Sequence, residues 1–207
     1  MRRTEQQKGT RHTHRGGARA GAGRPRAADA DAAILESALD LLEKRGYAGL
    51  SIDAVAAAAG VAKTTIYRRW PSKPALLAAA AAPLYQQLVE APDTGSLRDD
   101  LVSLLATSRE LMMGRAGRIL QILLRESSQH QELTEPLQCA LYERRQLYHR
   151  VLNRALARGE LRADVDQDLV ADMLLGPLWI RTMITPSPTP PELVRAAVDA
   201  ILPGIRR

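Results

Sequence analysis

Residues 51–73 read SIDAVAAAAGVAKTTIYRRWPSK. Ser51 is a strong N-cap, because its hydroxyl takes a backbone N–H that a helix start leaves unpaired. Asp53 sits in the first turn, where the helix dipole favours negative charge. Ile52, Val55, Ala56 and Ala59 follow at i, i+3, i+4 and i+7, the spacing of one buried helix face. Gly60 is placed to end that helix in the left-handed region that glycine enters freely, with Val61 turning back into the core. A second short helix is expected from Ala62 to Trp70, with Ile66 facing inward. Pro71 stops it, and Ser72 is positioned to cap the next one.

The outside of the second helix carries Lys63, Thr64, Thr65, Tyr67, Arg68 and Arg69. No acidic residue occurs from Ala54 to Val89, yet Lys63, Arg68, Arg69 and Lys73 fall within that span. Two short helices joined by a tight glycine turn form the unit that places its second helix in the DNA major groove. Hydroxyls of Thr64, Thr65 and Tyr67 can bond phosphates or base edges, and Arg68 or Arg69 can pair with the acceptor edge of guanine. Lys63 and Lys73 suit phosphates as point charges. An ordinary helical pair with a solvated basic face has the same charges, so charge and turn alone leave both readings open.

The order of residues separates them. An amphipathic first helix leads into Arg45-Gly46-Tyr47, Leu50-Ser51, Val55-Ala56, Ala59-Gly60-Val61, Thr65-Ile66-Tyr67, Trp70-Pro71-Ser72-Lys73 and Ala75-Leu76-Leu77. On these residues, Ile34 to Leu77, the chain resembles the N-terminal domain of the TetR family of transcriptional regulators. It departs at Ala62, where the family commonly has a capping Ser or Thr; a missing cap costs about 1 kcal/mol. The resemblance implies a regulator, not an enzyme, that binds a double-stranded operator. The residues it assigns to DNA are Ser51, Lys63, Thr64, Thr65, Tyr67, Arg68 and Lys73, with Ser51 and Lys73 as phosphate clamps. Trp70 is expected to pack against helices 1 and 4 instead.

Composition limits the alternatives. The 207 residues include no phenylalanine and only 3% aromatics, which with abundant Leu and Ala favours helix bundles over sheets. No apolar run reaches the roughly 18 residues of a membrane span, and the cationic N-terminus lacks the apolar segment of a secretory signal. A cytoplasmic, nucleoid-associated protein is expected. Cys139 is the single cysteine, expected to be a small packed residue. No histidine pair has metal-ligand spacing, and no phosphate loop, dinucleotide fingerprint or nucleophile elbow occurs. Neither metal nor resident cofactor is expected.

Residues 1–28 form a basic arm. Arg2, Arg3, Lys8, Arg11, Arg15, Arg19, Arg24 and Arg26 face one acid, Glu5, so the chain's net charge of +6 resides in this segment. The arm lacks large apolar residues and is expected to be disordered on its own. Gly23-Arg24-Pro25-Arg26 is similar to the core of an AT-hook, which lays arginines into the minor groove. Arg24 and Arg26 are therefore candidate DNA contacts, although basic tails also serve solubility alone.

Beyond the motif the pattern stays helical, giving an all-α chain of about nine helices. The division is a basic arm (1–28), a three-helix helix-turn-helix domain (29–75) and a helical body (76–207). Helices are expected from Ser72 with a break near Pro83, from Ser96 to Met113, Arg118 to Ser128, Glu135 to Arg158, Asp166 to Ile184 and Glu192 to Leu202. Gly114 to Gly117 interrupts the pattern. The resemblance implies that this body binds a small-molecule effector and forms a homodimer through its last two long helices. Candidate pocket residues are Met112, Met113, Leu120, Leu123, Leu124 and Trp179, although an apolar stripe at this spacing also suits plain core. The function expected is a repressor released from a palindromic operator by its effector. An activator, a ligand-independent regulator and an architectural DNA-binding protein remain open from the residues.

Overall fold

The computed structural model describes residues 27–85, 90–185 and 187–207. Among these residues there are nine α-helices: α1 (Ala27–Gly49), α2 (Ile52–Ala59), α3 (Lys63–Tyr67), α4 (Lys73–Tyr85), α5 (Leu97–Met113), α6 (Arg115–Ser127), α7 (Gln131–Ala157), α8 (Gln167–Trp179) and α9 (Pro191–Ile205). A π-helical turn, Ile180–Ile184, continues α8. The only β-type pairing among the described residues is an isolated bridge between Leu161 and Arg206. The all-α expectation therefore holds.

Two apolar cores organise the chain. One joins α1, α2, α3 and α4 through Ile34, Leu42, Val55, Ile66, Leu76 and Leu77, and it continues into α6 and α7 through Ile119, Leu123, Leu133 and Leu137. The other joins α5, the second half of α7, α8 and α9 through Leu101, Leu105, Val151, Leu174 and Val198. Each fully buried Leu contributes roughly 1.5–3 kcal/mol. Trp179 and Met183 pack against both cores. Helix α7 runs along both, so the helix-turn-helix domain, hereafter the head, is joined to the body by apolar packing and does not hang from a linker.

Several helix bounds differ from the sequence expectation. Helix α6 begins at Arg115 instead of Arg118, because only Gly114, in extended backbone, breaks the chain. Gly117 lies inside α6, where an added Cβ would sit 1.8 Å from the Met112 carbonyl oxygen. Its role is close approach. Helix α7 begins at Gln131, one turn before Glu135, and tolerates Pro136 inside it. Leu133 and Leu137, packed into the head's core, hold that extra turn. Helix α8 changes pitch after Trp179. Pro177 offers no N–H to the ladder, and further on the Thr182 carbonyl accepts from Gln121 Nε2 at 2.6 Å. Cys139 is exposed, not packed, because it faces away from the side of α7 that carries Leu137 and Ala140.

Candidate functional site

The α2–α3 turn is built by local chemistry. Ser51 Oγ accepts the Ala54 N–H at 3.2 Å. Gly60 adopts φ 67° and ψ 31°, and its N–H reaches the Ala57 carbonyl while the Val61 N–H reaches the Ala56 carbonyl. That pair of bonds is a Schellman motif, which needs a residue free to take positive φ. Ala62 precedes α3 without any side-chain cap. Helix α3 is shorter than the expected Ala62–Trp70, since its regular part ends at Tyr67. The turn nevertheless continues, with Arg68 N–H bonded to Thr64 O and Trp70 N–H to Ile66 O.

The cations of this region divide into free and committed groups. Thr64, Tyr67 and Arg68 are exposed and Thr65 is half-buried. Lys63 bonds Asp53 at 2.9 Å and lies 5.9 Å from the Tyr67 ring centroid. The Asp53 hydrogen bond and charge raise the ammonium above its ordinary pKa. Arg69 forms an ion pair with Asp31 of α1. This corrects the reading of Arg69 as a candidate guanine contact: its guanidinium ties α3 to α1. Lys73 Nζ donates to Tyr47 O at 2.7 Å and Leu50 O at 3.1 Å and sits 3.8 Å from the Tyr47 ring centroid. Burial pulls its pKa below the usual lysine value. An ammonium has three donors, so Lys73 chiefly closes the end of α1, where Gly46 turns at φ 67°. Trp70 is partly buried against the head's core, which includes α1 and α4. Arg24 and Arg26 lie outside the described residues.

Contacts that sequence reading missed tie head to body. Ser72 Oγ, besides capping α4 through the Ala75 N–H as expected, donates to Glu132 Oε2 at 3.0 Å. The Tyr47 ring lies 5.0 Å from the His130 ring. Arg115 of α6 bonds three carboxylates of α1: Glu36 at 2.5 Å, Asp40 at 2.6 Å and Glu43 at 2.6 Å. Arg118 joins Glu43 at 3.0 Å. The signal for this clasp was present as acids at i, i+4 and i+7 of one helix, but their partner lies more than seventy residues away.

A cavity of about 710 Å³ opens where the two cores meet. Its wall takes Tyr85 from α4, Met112 from α5, Leu120 from α6, Leu137 and Leu141 from α7, and Leu175 and Trp179 from α8. Of the six candidates, Met112, Leu120 and Trp179 line it. Met113 lies instead on a separate, more open depression of about 400 Å³ with Arg118 and Gln121. Leu123 is fully buried in the head's core and Leu124 packs against that core, so neither forms part of the wall described here. Arg144, Ser108 and Arg145 supply the polar wall, with Asp168 and Asp172. Sequence reading missed Arg144 as a lining group. Its signal was register: Leu137, Leu141, Arg144, Tyr148 and Val151 share the inward face of α7.

Both the helix-turn-helix and the helical body match known proteins. Residues 34–80 match the family described as "Bacterial regulatory proteins, tetR family", and residues 91–201 match "Tetracyclin repressor-like, C-terminal domain". The chain is 38% identical over 177 residues to an uncharacterised helix-turn-helix transcriptional regulator of Mycobacterium tuberculosis, covering 84% of this chain and 87% of that protein. It is 32% identical over 182 residues to a DNA-binding transcriptional repressor TetR of Mycobacteroides abscessus, covering 84% and 95%. A crystal structure of a TetR family transcription regulator superposes with a TM-score of 0.67 at 32% identity, over 85% of this chain and 98% of that one. Reading head, helical body and both halves of the alignment agree: the chain belongs to the TetR family of bacterial helix-turn-helix transcriptional regulators.

Proposed function

We propose that the protein is a homodimeric repressor that binds a palindromic operator and is released from it by a small molecule held in the cavity between the two cores. The observation that carries this reading is the cavity's position. Its wall includes α4 and α6, which belong to the head's core, and α5 and α8, which belong to the body's core. A ligand there touches both units at once. Release requires it to bind the operator-incompetent arrangement more tightly, since equal affinity for both states shifts nothing.

The dimer face is read from what α8 and α9 leave uncovered. Leu169, Met173 and Ile180 share one side of α8 and its π-helical extension, each at least half exposed. Ala196 and Ala200 are exposed one turn apart on α9, and small side chains there let another helix approach. An isologous contact between two such faces places two α3 helices on one duplex. Thr64, Thr65, Tyr67 and Arg68 then meet the major groove, Ser51 offers its hydroxyl proton to a phosphate, and the chromosome in the cytoplasm is the site of action.

The test is selection of binding sites by the purified full chain from random duplex DNA. Two inverted half-sites centred about one helical turn apart, roughly 34–36 Å, are expected. Recovery of unrelated sequences would overturn the reading.

A further inference from the structure

The wall of the cavity is largely hydrocarbon, with its charged groups, Arg144, Arg145, Asp168 and Asp172, on α7 and α8. Arg144 is placed by α7 on the same face as Leu137 and Tyr148, so its guanidinium points into the protein. Nη2 donates to Ser108 Oγ at 3.2 Å. The serine proton is already directed to Leu104 O at 3.0 Å. Tyr148 Oη lies 2.9 Å from Ser108 Oγ, so the phenol donates and the serine oxygen is filled. Tyr148 is fully buried, and burial pushes its pKa up to about 12; it stays neutral and supplies no counter-charge. Nε and Nη1 of Arg144 are buried and meet no hydrogen-bond partner among the described residues.

Arg145, next in the chain, shows the contrast. It pairs with Asp168 at 3.1 Å and also with Asp172, and His149 reaches the same Asp168 at 3.0 Å. The acids near the cavity are thus engaged by Arg145 and His149, and no carboxylate pairs with Arg144 among the described residues. A partly buried guanidinium does not relieve itself by losing its proton. Its planar fork of donors suits a carboxylate in two parallel bonds. The volume, about 710 Å³, falls within the roughly 300–1,000 Å³ of small-molecule sites.

We propose that the cavity binds an amphipathic monocarboxylate, its carboxylate on Arg144 and its hydrocarbon among Leu111, Met112, Leu120, Leu137, Leu175 and Trp179. This rests on the cavity being the effector site. The experiment is calorimetry on the full-length protein with monocarboxylates of linear and ring-bearing skeletons (decanoate, dodecanoate and 4-phenylbutyrate), each beside its primary amide. At least one acid is expected to bind one per protomer, and at least about tenfold tighter than its amide, as charged hydrogen bonds predict. In Arg144→Met the preference is expected to fall within twofold. A crystal structure of the wild-type complex is expected to place the carboxylate on Arg144, which tests the site even if the variant does not fold. No binding by any acid, equal binding of acid and amide, or a preference that survives in Arg144→Met overturns the proposal. Operator release, followed separately by gel shift, distinguishes the two readings. Acid-selective binding without release sinks the effector role and leaves the carboxylate site standing. Release by the amides as readily as by the acids leaves the effector role and sinks the carboxylate site.

Discussion

The reading head and the body use arginine in opposite ways. In the head, Arg68 is held out to solvent at the end of α3, while its neighbour Arg69 turns inward to Asp31. In the body, Arg145 is satisfied at the surface by Asp168 and Asp172, while its neighbour Arg144 turns inward with no acid to meet it. In both regions the second arginine of the pair is held by acids and the first is not, but the acid-free one is exposed in the head and turned inward in the body. An exposed cation is available to a polyanion at little desolvation cost. A buried unpaired one is costly until a specific anion arrives. The first arrangement suits an extended DNA surface, the second a small ligand.

The largest expected effect comes from separating the two copies on which the head's reading depends. Met173→Asp places a carboxylate in the apolar face of α8, and burying it unpaired in a dimer contact is strongly unfavourable. Sedimentation is expected to show a monomer and operator affinity to fall by more than about a hundredfold, since one head alone contacts half a site. A stable dimer would remove α8 from the interface.

The next comparison is internal to the head. Arg68→Ala is expected to weaken operator binding by about 1–3 kcal/mol, the worth of one good base contact, with the melting temperature unchanged. Arg69→Ala is expected to do the reverse in kind, lowering the melting temperature by a few degrees through loss of a half-buried pair worth about 1 kcal/mol. If both variants changed DNA affinity equally with no change in melting, the division of roles would be wrong.

The smallest effect tests the head's one weak joint. Ala62→Ser supplies the N-cap that α3 lacks and is expected to stabilise the head by about 1 kcal/mol or less. A melt followed by circular dichroism reads this as a small rise in transition temperature. No change would mean that the short helix is held by Ile66 and its core neighbours alone.

The head was largely legible before its structure. Ser51, Gly60, Val61, Ile66 and Ser72 act within five residues of their partners, and such contacts follow from spacing. What misled were cations whose partners lie far along the chain. Lys73 reads as a phosphate clamp until Tyr47 O and Leu50 O appear beside it. The acids of α1 acquire a role only when Arg115 closes on them. The cavity was least legible. Met112, Leu120 and Trp179 line it while Leu123 does not, and all four are equally apolar in sequence.

By itself, the sequence determined the all-α class, the helix-turn-helix, its missing cap at Ala62 and the concentration of positive charge in residues 1–28. Those properties are sums over composition or contacts between near neighbours, so one dimension contains them. Only the tertiary structure decided which cations are free, where the two cores meet and that Arg144 faces a cavity with no acid to pair with it. Each of these depends on whether a distant segment brings an opposite charge, an acceptor or empty space to the same point. That is a property of the packed chain and not of the order of its residues.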